Sequence, residues 1–244
     1  MDILTLFACF GTLATATSIG QVAVIAQAML SMIGRITMLS LWRWTAEGGS
    51  YRTILRFFAT KLAWQELQVK FFHSQIFNPK DEYIVVGDET IVSKSGTETF
   101  GLGRFYSGLQ KRVIKGVSFF VFSLVNVNQS ESSPVSVKQI IKEKSGRVAP
   151  PKQKKKRRKA GRGRKPGSPN KAKMELNLSS ELMRISEILL GLMKLLRDFM
   201  KVKYLAMDGH FGHNQAVLMA MEHDLYLISK LRKDVALFEK YEGK

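Results

Sequence analysis

Two hydrophobic periods divide the chain. Residues 1–78 place apolar side chains at helical spacing, and "ITMLSLWRWTAEGGSYRTILRFFATKL" is the most informative part. A first segment, Ile36 to Thr45, stops at Gly48-Gly49, which favour the left-handed backbone of a tight turn. Ser50 then caps a second helix starting near Tyr51, with Ile54, Leu55 and Phe58 expected towards a core. Arg52 and Arg56, one turn apart, share its outer face. Helix, glycine turn and arginine-bearing helix are compatible with a helix-turn-helix, and an ordinary helical hairpin fits the same pattern.

From Asp81 the period shortens to that of strands. "DEYIVVGDETIVSKSG" contains a β-branched run, Tyr83–Val86, predicted to be a strand that ends at Asp88. "GVSFFVFSLVNV", residues 116–127, is a second strand, joined to the first by a connection containing Gly101, Gly103 and Gly108, so an antiparallel pair is expected. Residues 128–173 are polar and then rich in Pro, Gly and Lys, a composition that cannot bury enough apolar surface to order itself. Leu182, Ile185, Leu189, Leu192, Leu196 and Phe199 next mark an amphipathic helix over 177–201, with Ser179 or Ser180 as its cap. A strand at 203–207, a short helix at 214–222 and a strand at 225–231 follow. Helix–strand–helix–strand is α/β wiring, which puts a ligand at the carboxyl ends of the strands.

Charge changes this picture. The chain carries a formal +18, and residues 147–173 hold 13 Lys or Arg without one acid, leaving about +5 elsewhere. That density suits a polyanion, because phosphate neutralisation releases counterions. A solvated surface is the plainer reading of the same run. The single cysteine, Cys9, excludes a disulfide framework and suits a reducing cytoplasm. Ile3 to Gly34 carries no charge, but Gly11, Gly20, four Thr, two Ser and two Gln interrupt it. Buried helices are therefore expected there rather than a membrane anchor.

Two strands are predicted to end alike, "YIVVGD" at Asp88 and "KYLAMD" at Asp208. Side by side in one sheet, their carboxylates would converge and repel, and a shared hard cation would remove the conflict. Mg²⁺ (or Mn²⁺) so held activates a water or a 3′-hydroxyl for in-line displacement at phosphorus. Separate turn caps by each aspartate are the competing reading.

"GDETIVSKSGTETFGLGRFYSGLQKRVIKGVSFFVFSLVNV" together with "YLAMDGHFGHNQAVLMAMEHDLYLISKLRKD" resembles bacterial insertion-sequence transposases of the DDE class, which have an RNase H-like catalytic core. Asp88, Thr90, Lys94 and Gly96 match the setting of the family's first aspartate. Asp208, Gly209 and Phe211 match that of the second. The resemblance implies metal-dependent strand cleavage and strand transfer at transposon ends, with Asp88 and Asp208 as ligands. It also implies a third ligand, a Glu within a Tyr…Arg…Glu…Lys pattern on a later helix. Glu239 and Glu242 are not in that setting, so the chain reads as a truncated copy.

"GRGRKPGSPNK" at 161–171 resembles an AT-hook, although Lys165 separates Arg164 from Pro166. Lys154, Lys155, Arg157, Arg158, Arg162, Arg164 and Lys165 are thus the expected DNA-binding residues of the tract, alongside Lys94, Arg52 and Arg56. His210, His213 and His223 invite a zinc site or a phosphate contact; plain packing serves equally. Lys230 and Arg232 are further candidates for the DNA backbone.

The expected organisation is a helical, helix-turn-helix-like domain at 1–80, the first half of the core at 81–128, a disordered basic insertion at 129–175, and the second half at 176–244. The fold class is α/β with an incomplete RNase H-like core. The expected function is a DNA transposase acting on double-stranded DNA at transposon ends. A homo-oligomer and a cytoplasmic, nucleoid-associated location in a bacterium go with it. A non-catalytic DNA-binding remnant is the alternative.

Overall fold

The computed structural model describes residues 3–45, 49–141 and 178–231. Its amino-terminal part is helical: α1 (Ile3–Phe7), a 3-10 turn (Ala8–Thr12), α2 (Ala16–Ser31), α3 (Met38–Trp44), α4 (Tyr51–Ala59) and α5 (Trp64–Gln75). Thr37 and Ser40 form a reciprocal capping box at the start of α3. Gly49 has φ +77°, as the glycine turn required, and Ser50 holds the N-cap position of α4, although its side chain makes no capping hydrogen bond to the main chain. Ile25, Ala28, Leu41, Ile54 and Phe57 make a small core here. The sequence expectation for α4 is corrected at two positions, because Leu55 and Phe58 are exposed and Phe57 is buried instead. Ile54 and Phe57, three apart, set the inward face, and Leu55 and Phe58 lie one residue past it. Arg52 and Arg56 are exposed. Among the described residues no helix is long and apolar enough to cross a membrane.

A mixed sheet forms the rest, built from β1 (Tyr83–Ser93), β2 (Gly103–Ser107), β3 (Arg112–Asn126), β4 (Glu131–Ile140), β5 (Tyr204–Met207) and β6 (Tyr226–Ile228). The order is β2-β3-β1-β5-β6, with β4 also on β3. β1 is antiparallel to β3 and parallel to β5, and β6 is parallel to β5. Two helices, α6 (Ser180–Leu196) and α7 (Asn214–Glu222), join the strands of the second half. Together these elements make an α/β fold, consistent with the RNase H-like core expected from the sequence.

Two expectations about strands need correction. β1 does not end at Asp88. Glu89 to Ser93 keep pairing with β3, and the β-branched Thr90, Ile91 and Val92 sustain the extended backbone. The polar stretch expected to begin a disordered insertion instead supplies β4, whose Val135 and Ser136 are fully buried. Lone apolar positions among serines are too sparse to mark it. Residues 142–177, which hold the basic tract, lie outside the described residues.

Alternation along the strands sends Val85, Phe120, Phe122, Leu124, Leu205 and Met207 to one face. There they meet Leu182, Ile185, Leu189, Leu192 and Leu196 of α6, the spacing read from the sequence. Each such side chain contributes about 1.5–3 kcal/mol on burial. Ser179 Oγ accepts a hydrogen bond from Leu182 N at 3.2 Å and caps the helix. The opposite residues, Ile84, Val86, Phe119, Val121 and Val125, are half-buried and stand outside that core.

His223, at the end of α7, places Nε2 2.8 Å from Ser186 Oγ of α6. Burial lowers its pKa below the ordinary 6.5, against the opposing pull of Glu222 and Asp224. The folded state therefore favours the neutral ring. Stability from this group is complete above about pH 6.5 and is lost as pH falls towards the folded value. Thermal melts between pH 7.5 and 5.5 should show a steeper loss for the native chain than for His223→Gln. Equal slopes would remove His223 from the pH response.

Candidate active site

The parallel pairing of β1 and β5 decides where the two aspartates go. The ladder runs Val85↔Leu205, Val86↔Ala206 and Gly87↔Met207, and the next residue on each chain is an aspartate. Asp88 and Asp208 thus leave the ladder at the same level, one on a strand that continues and one on a strand that stops. Both line a cleft of about 510 Å³.

Each aspartate is held by its own neighbourhood. Asp88 Oδ1 accepts from Glu89 N at 2.8 Å. Asp208 caps the 3-10 turn Gly209–Phe211, its Oδ1 accepting from His210 N at 3.1 Å. Its main-chain oxygen accepts from Ser229 Oγ at 2.7 Å, which ties the end of β5 to the end of β6. The glycines after Asp208 have a steric reason. A Cβ on Gly212 would collide with the main-chain oxygen of Lys230, and one on Gly209 would touch Lys230 Cβ at 3.4 Å. Lys230 thereby serves as a floor for the turn.

Helix α6 closes the cleft from one side with Glu181 and Arg184, one turn apart in its first two turns. Glu181 Oε2 lies 3.4 Å from His210 Nε2, spanning the cleft from helix to turn. Glu89 also lines it and accepts from Ser118 Oγ. Glu89, Glu181 and Arg184 are not singled out by the sequence. Their signal is tertiary, since nothing in a helix's first turn tells which strand end it will face. Lys94 follows β1, and its main-chain N donates to Lys115 O at 3.0 Å.

The histidines do not gather. His210 faces Glu181, His213 caps α7 through Ala216 N, and His223 meets Ser186. Among the described residues no cluster of three or more His, Cys, Asp or Glu is placed to hold an ion. A hard divalent cation asks for less, because Mg²⁺ is often bound by one or two carboxylates with waters and phosphate oxygens completing its shell. Asp88 and Asp208 supply two carboxylates, each with one oxygen engaged by a main-chain N–H, at the wall of an open cleft. That donor set fits such an ion. Arg52 and Arg56 lie on α4 of the helical part and do not line this cleft. The predicted DNA-binding residues of the basic tract, with Arg232, Glu239 and Glu242, fall outside the described residues.

The model of one protein family, DDE superfamily endonuclease, matches residues 5–244. The chain belongs to this family. No curated protein matches it. DDE endonucleases act on DNA and generally use divalent metal ions. The α/β sheet with Asp88 and Asp208 at adjacent strand positions is in keeping with that membership.

Proposed function

We propose that this DDE endonuclease is a transposase, cutting DNA at the ends of an insertion sequence and joining the freed 3′-hydroxyl to a new strand. The observation that carries the reading is the β1–β5 register, which delivers two carboxylates to one cleft. Asp88 and Asp208 would hold Mg²⁺ (or Mn²⁺), which when bound supplies an activated water or hydroxyl and stabilises charge at the reacting phosphorus. The residues of the chain do the rest. Glu89 N and His210 N fix the two carboxylates, Ser229 fixes the end of β5, and α6 walls the cleft. Arg184 places a cation beside the four carboxylates, where a phosphodiester must approach.

DNA is held mostly elsewhere in this reading. The basic tract, with Lys154, Lys155, Arg157, Arg158, Arg162, Arg164 and Lys165, supplies sequence-independent phosphate contacts, assisted by Lys94 and by Arg52 and Arg56 on α4. Two or more copies would be needed to bring both transposon ends together. Deleting residues 152–165 should lower duplex affinity steeply, by about 10²-fold or more near 0.1 M salt, and flatten its salt dependence. Unchanged anisotropy titrations after the deletion would remove the tract from the account. The reading as a whole is tested by nicking of a supercoiled plasmid carrying the element's ends, with Mg²⁺, with Mn²⁺ and with EDTA. Metal-dependent nicks at those ends support it. DNA binding without cleavage under either ion overturns its catalytic half.

A further inference from the structure

Past the end of β1 the sheet continues as a two-stranded arm. β1 accompanies β3 only as far as Ser93↔Gly116, and β4 meets β3 from Ser118 onward. Between Arg112 and Ile114, beyond the last bond from Lys94 N to Lys115 O, β3 is paired with β2 alone, up to Ser107↔Arg112. Residues 108–111 close the arm. Gln110 N donates to Ser107 Oγ at 3.2 Å, and Lys111 takes the left-handed conformation at φ +50°. Leu109 at the tip is 95% exposed and Tyr106 is 62% exposed. Tyr106 and Gly108 also line the cleft with Asp88 and Asp208, so the arm rises from the rim of the candidate active site.

Its charge is one-sided. Arg104, Lys111, Arg112 and Lys115 are exposed on the arm, and no acidic residue occurs between Glu98 and Glu131. The cleft below is the opposite, with Asp88, Glu89, Glu181 and Asp208 against Arg184. Such a cleft repels a phosphate backbone, so a duplex entering it needs cations just outside the rim. A two-stranded β-ribbon also has the width that the major groove of B-DNA admits. A lone exposed leucine would need no explanation. One on the tip of a basic ribbon beside a nuclease cleft does.

We infer that the arm, residues 103–116, is a DNA-holding element: it lies in the groove of the duplex flanking the phosphodiester in the cleft. Lys111 and Arg112 meet phosphates on either side, and Leu109 meets base edges. The inference rests on the DNA-cutting reading above, yet it can fail alone. The test uses the full chain with Leu109→p-benzoylphenylalanine as a photo-cross-linker and a duplex of about 30 base pairs, against the same strand unpaired. A second variant, Lys111→Asn with Arg112→Gln, removes two charges and keeps a residue that tolerates the left-handed backbone. The expected result is a cross-link to duplex. For the double variant, the slope of log affinity against log salt should be smaller by about 2, with affinity down about tenfold near 0.1 M salt and melting unchanged. Cross-linking to the unpaired strand alone would overturn the duplex assignment. Normal DNA binding with no cross-link and an unchanged slope would overturn the arm's role and leave the cleft reading intact. Absence of any DNA binding at low salt would remove both.

Discussion

Replacing Asp208 with asparagine should reduce metal-dependent DNA cleavage by at least about 10³-fold, since the ion so held is worth several kcal/mol of transition-state stabilisation. Asp88→Asn should do the same. Asparagine keeps a side-chain oxygen in the same place, so the caps on His210 N and Glu89 N survive and the fold should be undisturbed. What is lost is the charge that makes the site attractive to a divalent cation. Duplex affinity is expected to stay within about twofold, because phosphate contacts made elsewhere carry it. Nicking assays in Mg²⁺ and Mn²⁺, anisotropy in Ca²⁺ and thermal melts separate these effects. If both variants cleave at the native rate, the aspartate pair plays no part in the chemistry. If both lose melting temperature, the substitution has broken a cap instead.

The aspartate pair can be read from the chain itself, in the repetition of an apolar run closed by Asp at 88 and 208. That repetition is legible because burial forces both segments to be apolar, and a carboxylate is tolerated only where each leaves the buried core, as at the exposed Asp88 and Asp208. The helix facing them is legible for the same reason, its Leu and Ile returning at helical spacing from 182 to 196. The cleft's other members are not. Glu89 resembles the start of a turn after Gly87-Asp88, although the β-branched residues beyond it sustain β1 to Ser93. Glu181 and Arg184 resemble the solvated shoulder of an amphipathic helix, and only the stacking of α6 against the sheet brings them to the strand ends. β4 is hidden because it needs only Val135 and Ser136 inside and is otherwise a polar edge beside β3. On α4, a helical wheel anchored one residue off moves the inward face from Phe57 to Phe58.

Phe122→Ala is the core change with the largest expected cost, about 3–5 kcal/mol, a large fraction of a typical domain's stability. The ring is fully buried on β3, 5.1 Å from that of Phe120 in an edge-to-face pair, and it lies over Gly87, the residue just before Asp88. A Cβ added at Gly87 would stand 2.8 Å from Phe122 Cε1. The glycine thus makes room for the ring, and the ring in turn packs the strand that presents Asp88. Overpacking from the other side, Gly87→Ala, should cost about 1–3 kcal/mol. The two sites share one space, so their effects should not add. Gly87→Ala placed on Phe122→Leu should cost less than on the native chain, because the shorter side chain vacates the contact. Urea unfolding of the four variants measures this coupling. A Phe122→Ala loss below about 1 kcal/mol, or strict additivity with Gly87→Ala, would mean that the ring does not hold the register of β1 at Asp88.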